Sequence, residues 1–219
     1  MTPPFRLLLS AIVLLSAFHA SGLKSADAQG EWSREATPLA DLVGRIGIRS
    51  PDARKIAFVE EDGGRLSVVV DGRRLPGTED QGVALPLAEL SWAPDSTAFF
   101  ITYSWGGAVG EWRVGVYVIE KESVRGSDVT QEAVRRFKKH YKCLEPEDPN
   151  VGVATWVKGS KQLLLITEVP PHSSCPEMGK IRGYLVEVPS GKIIREYAER
   201  DLRARWGWHL GYRFGPPKP

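Results

Sequence analysis

The chain has 219 residues and a nearly balanced charge, 29 Lys and Arg against 27 Asp and Glu, for a net +2. That balance argues against nucleic acid as a partner, because such binding is driven by neutralising many phosphates. Seven Trp, seven Phe and six Tyr set among 22 Gly and 16 Pro suit many short strands joined by turns.

Residues 1–28 read as a signal peptide. Arg6 supplies a basic start, Leu7 to Phe18 is mostly apolar, and Ala26-Asp27-Ala28 offers the small-x-small pattern of a cleavage site. The apolar run is shorter than the roughly 20 residues that span a bilayer. Cleavage is expected between Ala28 and Gln29, with Ala20-Ser21-Gly22 as the alternative site and an uncleaved anchor as the alternative fate. No cysteine lies near either site, which argues against a lipid anchor. The expected destination is the periplasm or the exterior, with no stable membrane insertion after cleavage. Losing Arg6, Lys24 and Asp27 leaves the mature chain almost neutral. Residues 29–219 are enough for one domain with a sizeable core.

A phrase then repeats. Ser50-Pro51-Asp52 precedes Lys55-Ile56-Ala57-Phe58, and Ser91-Trp92-Ala93-Pro94-Asp95 precedes Ala98-Phe99-Phe100. Thr155-Trp156-Val157-Lys158-Gly159-Ser160 before Gln162-Leu163-Leu164 is a worn third copy. Each reads as strand, tight turn, strand, and a period of about 40–45 residues is that of propeller blades. In the first unit strands are expected at Lys55 to Glu61, Leu66 to Val70 and from Arg73, with Asp71-Gly72 as a two-residue hairpin turn. The second unit runs Ala84 to Trp92, Ala98 to Ser104, Glu111 to Glu120 and a strand near Val124. One stretch is helical. Ser127 or Asp128 caps it, Glu132 reaches back, and Val134, Phe137 and Tyr141 recur at helical spacing opposite Arg135, Arg136, Lys138 and Lys139. The third unit runs Val151 to Val157, Gln162 to Val169, Arg182 to Val188 and Ile193 to Tyr197. Arg195, Arg200, Arg203 and Arg205 interleave with Glu196, Glu199 and Asp201, which reads as a solvated, ion-paired face.

The expected fold is all-β: a propeller-like array of about three four-stranded units, at about 45–80, 84–127 and 151–197, with one inserted helix at about 129–142. The turn and strand order resemble the WD-repeat-like blades of the TolB-like propellers and of the propeller domains of prolyl oligopeptidases. The resemblance covers roughly residues 45–197 and departs from the family pattern where Ala53 and Ser96 replace the glycine after Asp. Closed propellers have four to eight blades. With three, either the termini supply a fourth unit, or two chains complete a ring, or the termini close an open assembly. The last is preferred, with Trp206-Gly207-Trp208 packing over an edge. Open strand edges leave homodimerisation as an expectation.

The longer connections gather on one side of such an array, often the binding side. There the sharpest spacing is His140-x-x-Cys143 and His172-x-x-Cys175. Two Cys and two His suit a tetrahedral zinc site, but these are the only cysteines and an exported protein meets an oxidising compartment. A Cys143–Cys175 disulfide is therefore expected, with a metal at His140, Cys143, His172 and Cys175 as the alternative. No phosphate loop, nucleophile elbow or metalloprotease motif occurs, and Gly106-Gly107-Ala108-Val109-Gly110 fits no dinucleotide fingerprint. No catalytic residue and no cofactor is assigned. The expected function is a non-catalytic binding or scaffolding module that presents Trp105, Arg136, His140, His172 and Glu177 to a protein or cell-envelope component. The alternative is an envelope hydrolase acting on glycan or peptide, with Glu111 and Glu177 as a carboxylate pair, or a metal at His140 and His172, doing the chemistry.

Overall fold

The computed structural model describes residues 30–39, 45–60, 65–76, 87–104 and 111–216. The expected signal peptide, the start of the strand expected from Ala84, Trp105 and the glycine-rich stretch after it lie outside these residues. Three antiparallel sheets and two helices make up the described fold. The first sheet is a four-stranded meander of β2 (Arg45–Arg49), β3 (Lys55–Glu60), β4 (Arg65–Val70) and β5 (Arg73–Leu75). The second holds β6 (Ala88–Trp92), β7 (Ala98–Ser104), β8 (Trp112–Ile119) and β9 (Val124–Ser127), with β1 (Thr37–Pro38) added beside β6. The third is β10 (Asn150–Val157), β11 (Gln162–Glu168), β12 (Ile181–Glu187) and β13 (Ile193–Ala198). Helix α1 (Gln131–His140) lies between the second and third sheets in sequence, and α2 (Glu199–Trp206) follows the third. Among the described residues no helix is long and apolar enough to cross a membrane.

The sheets stack face on face in chain order. Strand β7 turns Phe99, Ile101 and Tyr103 toward a core shared with Ala57, Val59 and Val68 of the first sheet. Its other face turns Ala98 and Phe100 toward Val153, Leu163, Leu165 and Tyr184 of the third. Strand β11 is likewise two-faced, with Leu164 and Ile166 packed against Trp32, Leu202 and Phe214. Strands covered on both sides need apolar residues at every position rather than at alternate ones, which is why Ala98–Ser104 and Gln162–Glu168 read as nearly unbroken apolar runs. Each large side chain buried in this way contributes roughly 1.5–3 kcal/mol. No core cluster among the described residues combines the first and third sheets, so the stack does not close into a ring.

The repeated phrase has a visible purpose in the stack. Trp92 donates its indole N–H to the carbonyl of Ile48 (2.9 Å), and Trp156 donates to Ser91 (3.2 Å). These acceptors occupy the same place in successive copies. The turns join too: Asp52 N–H donates to Ser96 Oγ (3.0 Å), and Ser160 N–H donates to Asp95 Oδ2 (2.9 Å). Each turn needs left-handed backbone, supplied by Ala53 (φ 61°), Ser96 (φ 59°) and the pair Lys158 and Gly159. Three non-glycine residues, Ala53, Ser96 and Lys158, thus accept a conformation that costs roughly 1–2 kcal/mol for an L-residue.

The termini lie against the outer face of the third sheet and make no fourth sheet among the described residues. Residues 30–33 pair with residues 210–213: Ser33 bridges Leu210, and Gly211, Tyr212 and Arg213 donate their N–H groups to Trp32, Gly30 and Glu31. Trp32 is fully buried in a notch over Gly152, where a Cβ would fall 2.1 Å from the indole. The expected aromatic cover is only half realised. Trp206 packs against Tyr197 (ring centroids 6.2 Å apart), whereas Trp208 is 74% exposed beside Arg34.

Candidate functional site

A cleft of about 300 Å³ opens where the second and third sheets meet α1. Tyr103 and Val114 of β7 and β8, Val134 of α1 and Val151 of β10 form its apolar surface, and Glu111, Arg113, Asp128 and Asp148 its polar groups. The sequence builds this wall by local capping and by long-range ties. Asp128 accepts from Thr130 N–H (2.9 Å) and Oγ1–H (2.8 Å), turning the chain from β9 into α1. Ala133 and Phe137 then bury the helix's apolar face. Glu132 lies in the first turn, and Lys138, Lys139 and His140 in the last, each sign at the favourable end of the helix dipole. Lys138 pairs with Asp148 (2.7 Å), fixing the helix to the segment that enters β10. At the other side Trp112 N–H donates to Asn150 Oδ1 (3.1 Å), which couples the starts of β8 and β10.

The electrostatics of the cleft are those of paired charges. Arg113 pairs with Glu111 (2.6 Å), and that carboxylate pushes the guanidinium up. Burial opposes the charge on Asp128, yet the bonds from Thr130 and Gln131 hold it below the usual carboxylate range. Burial pushes Tyr103 up, and nearby Arg113 opposes the shift. Glu111 is engaged by Arg113, Asp148 by Lys138 and Asp128 by Thr130, and the apolar floor leaves room for an inserted group.

Beside it the connection is crosslinked. Cys143 follows α1 in a short 3-10 turn, and Cys175 lies in the long loop between β11 and β12. Their disulfide joins Cα atoms 5.0 Å apart across 32 residues of sequence. In the chain-entropy account such a loop stabilises by about 3–4 kcal/mol. Leu144 and Cys175 are buried with Phe137 in the core between the second and third sheets, so the staple holds the helix-bearing connection to that core.

The expected binding-face residues do not converge. Arg136 pairs with Glu132 one turn back (2.9 Å), and Arg135 shares the same carboxylate. Glu132 is therefore engaged with arginines rather than with the helix start, where Thr130 makes no side-chain cap. His140 Nε2 meets Glu196 of β13 (2.8 Å), which also holds Arg182 (2.8 Å). His172 is exposed. The Glu177 carboxylate lies 3.0 Å from Cys143 Sγ and 3.3 Å from Cys175 Sγ. Trp105 lies outside the described residues. Among those described, one group of metal-ligating types gathers, Cys143, Cys175 and Glu177, and its two sulfurs are bonded to each other. Neither histidine belongs to it. Of the carboxylates expected to pair, Glu111 lines the cleft and Glu177 rests on the disulfide.

The chain matches no protein-family model, no curated protein and no solved structure.

Two features escape sequence reading. The cleft joins residues from five separate stretches, and of its charged groups the sequence singles out Glu111 and, as a helix cap, Asp128. The second is a buried charge network at the termini. Arg213 is held by Glu31 and by Glu168 (2.7 Å), lies 5.0 Å from the ring centre of Trp32, and Glu168 also accepts from Asn150 Nδ2 (3.1 Å). The isolated Arg213 in an aromatic tail, Tyr212-Arg213-Phe214, is the one signal of it in the sequence.

Proposed function

We propose that the protein is an exported, non-catalytic binding or scaffolding module of propeller type, whose insertion side takes a protein or cell-envelope ligand. The observation that carries this reading is the cleft beside the disulfide-stapled connection. Its volume, about 300 Å³, is at the lower limit of ligand pockets and suits one anchoring group rather than a whole small substrate. Tyr103, Val114, Val134 and Val151 offer that group apolar contact, while the carboxylate oxygens of Glu111, Asp128 and Asp148 at the rim offer acceptors to N–H and O–H donors. Rigid sheets below and a crosslinked connection beside the cleft reduce the ordering cost of binding. The three stacked sheets with a repeated turn support the propeller-type description, and the disulfide suits an oxidising compartment.

The test is capture of partners from the native envelope by wild-type protein, by Val134→Arg, which fills the cleft, and by a Trp105→Ala, His172→Ala double variant. Circular dichroism checks that each variant is folded. Loss of the wild-type partners in Val134→Arg is the expected result. Identical partners with wild type and Val134→Arg would sink the cleft as the binding site. Hydrolysis of envelope glycan or peptide that disappears in Glu111→Gln would replace the binding module by an enzyme.

A further inference from the structure

Glu89 of β6 is 1% exposed, and its carboxylate borders a cavity of about 40 Å³ lined also by Glu31, Trp112 and Tyr212. It accepts the backbone N–H groups of Trp32 (3.1 Å) and Ser33 (3.0 Å). Among the described residues no cation pairs with it. The neighbouring guanidinium, Arg213, is already divided between Glu31 and Glu168. The network thus sets three carboxylates against one fixed cation. Burial pushes Glu89 up to about 8 despite the backbone donors, the behaviour of a carboxylate lacking a counter-charge.

The main chain of Gly30 passes directly over this carboxylate. A Cβ at Gly30 would lie 2.4 Å from Glu89 Oε2, so only glycine permits the approach. Gly30 is buried, and its carbonyl accepts from Tyr212 N–H (3.2 Å). The residue before it is Gln29, which carries the new α-amino group if the leader is cut after Ala28. Adjacent Cα atoms are about 3.8 Å apart, so that amine is tethered one residue from the point where Gly30 meets the Glu89 carboxylate.

We propose that the cavity bounded by Glu31, Glu89 and Tyr212 is a binding site for the chain's own N-terminal ammonium, so that removal of the leader completes the closure of the termini. This rests on the export reading and on cleavage after Ala28. A cavity of this size holds one small polar group, comparable to the roughly 30 Å³ share of a water molecule. An ammonium brings three N–H donors to the carboxylates of Glu89 and Glu31. In the uncleaved chain the nitrogen of residue 29 is a neutral amide that carries no charge, and Glu89 must stay protonated or remain without a counter-charge. Cleavage would therefore tighten the strap of residues 30–38, which runs from the third sheet to β1 at the edge of the second.

The test uses the chain beginning at residue 29 with Gln29→Ala, which cannot cyclise. Its α-amino group is left free or acetylated, each form carrying either Glu89 or Glu89→Gln, which keeps an oxygen for one of the Trp32 and Ser33 N–H groups and removes the charge. Two quantities are read: the acylation rate of the free amine by a small amine-reactive reagent at neutral pH, and the melting temperature. The free amine should react at least about tenfold more slowly beside Glu89 than in the Glu89→Gln variant, as a one-unit rise in its ordinary pKa of about 8 requires. Acetylation should lower the melting temperature of the Glu89 protein and leave that of Glu89→Gln unchanged. Equal acylation rates, or equal effects of acetylation, would overturn the site. The mass of the exported native chain separates the two premises. A start at Gln29 with a free amine is expected; a different start, or cyclised Gln29, refutes the role in processing even where the purified chain shows protection.

Discussion

Ala53 and Ser96 occupy equivalent left-handed turn positions and differ in what their side chains do. Ala53 is exposed and Ser96 is buried, its Oγ accepting the Asp52 N–H from the preceding turn. Ala53→Gly should relieve the left-handed strain of roughly 1–2 kcal/mol, offset by the roughly 0.4–1 kcal/mol of extra freedom glycine gives the unfolded chain. A net gain of up to about 1 kcal/mol in denaturant unfolding follows. Ser96→Gly obtains the same relief but loses the inter-turn bond, worth about 1 kcal/mol, and should show no gain. Equal gains in the two variants would mean that the turns are not joined as described.

Glu89 gives a second prediction at this scale. Its folded value near 8 lies above the ordinary carboxylate value of 4.5. Between those limits the folded chain keeps a proton that the unfolded chain has lost, so stability is greatest below the lower value and falls as pH rises toward the upper one. In the full 219-residue chain, unfolding measured from pH 5 to pH 8 should show this fall. Glu89→Gln should flatten it. The same slope in Glu89 and Glu89→Gln proteins would show that Glu89 is charged throughout the window and contributes nothing to it.

Among the elements, local chemistry is the legible part. The Asp71-Gly72 turn, the Pro-Asp turns and strands such as Ala98–Ser104 follow from neighbours in sequence, and the structure has them where the residues place them. Helix α1 is shorter than the span expected at about 129–142, because after Tyr141 the chain tightens into the 3-10 turn that carries Cys143. Helix α2 reads in sequence only as a charged face. Of its eight residues Leu202 alone is buried, so no 3.6-residue apolar repeat marks it, and its seat comes from the third sheet. The same holds for the strap at residues 30–38, which is ordered by Glu89 and by residues 210–213 and has no periodicity of its own. The cleft is invisible in sequence for a related reason: Tyr103, Arg113, Asp128 and Asp148 are ordinary residues until three elements bring them together.

The inter-sheet tryptophans test the element-level account. Trp92→Phe and Trp156→Phe keep an aromatic ring and delete the indole donor, leaving the carbonyls of Ile48 and Ser91 without it. Each should cost about 1–2 kcal/mol in reversible unfolding, and similarly, since the two bonds are equivalent. A neutral effect at both would remove the repeated phrase from the forces that join the sheets. For the crosslink, Cys143→Ser with Cys175→Ser should lose up to about 3–4 kcal/mol, with amide exchange accelerating first across α1. Uniform acceleration across all three sheets would instead make the disulfide a global restraint.

For the whole molecule, three sheets are joined in series, and each inner face is covered by the next layer until the termini cap the third. That order puts the α1 connection and the Cys175 loop at the junction of the second and third sheets, and the cleft forms there. The rigid parts are the sheets, and what they hold in place is a small opening with carboxylates at its edge and an apolar floor. The central claim is that this opening receives a partner. Its most direct test is photo-crosslinking in living cells from a photoreactive amino acid at position 134 in the cleft, with position 74 on exposed β5 as control. The account predicts a discrete crosslinked partner from position 134 that is missing from position 74. Crosslinks that are the same from both positions, or none from position 134, would contradict it.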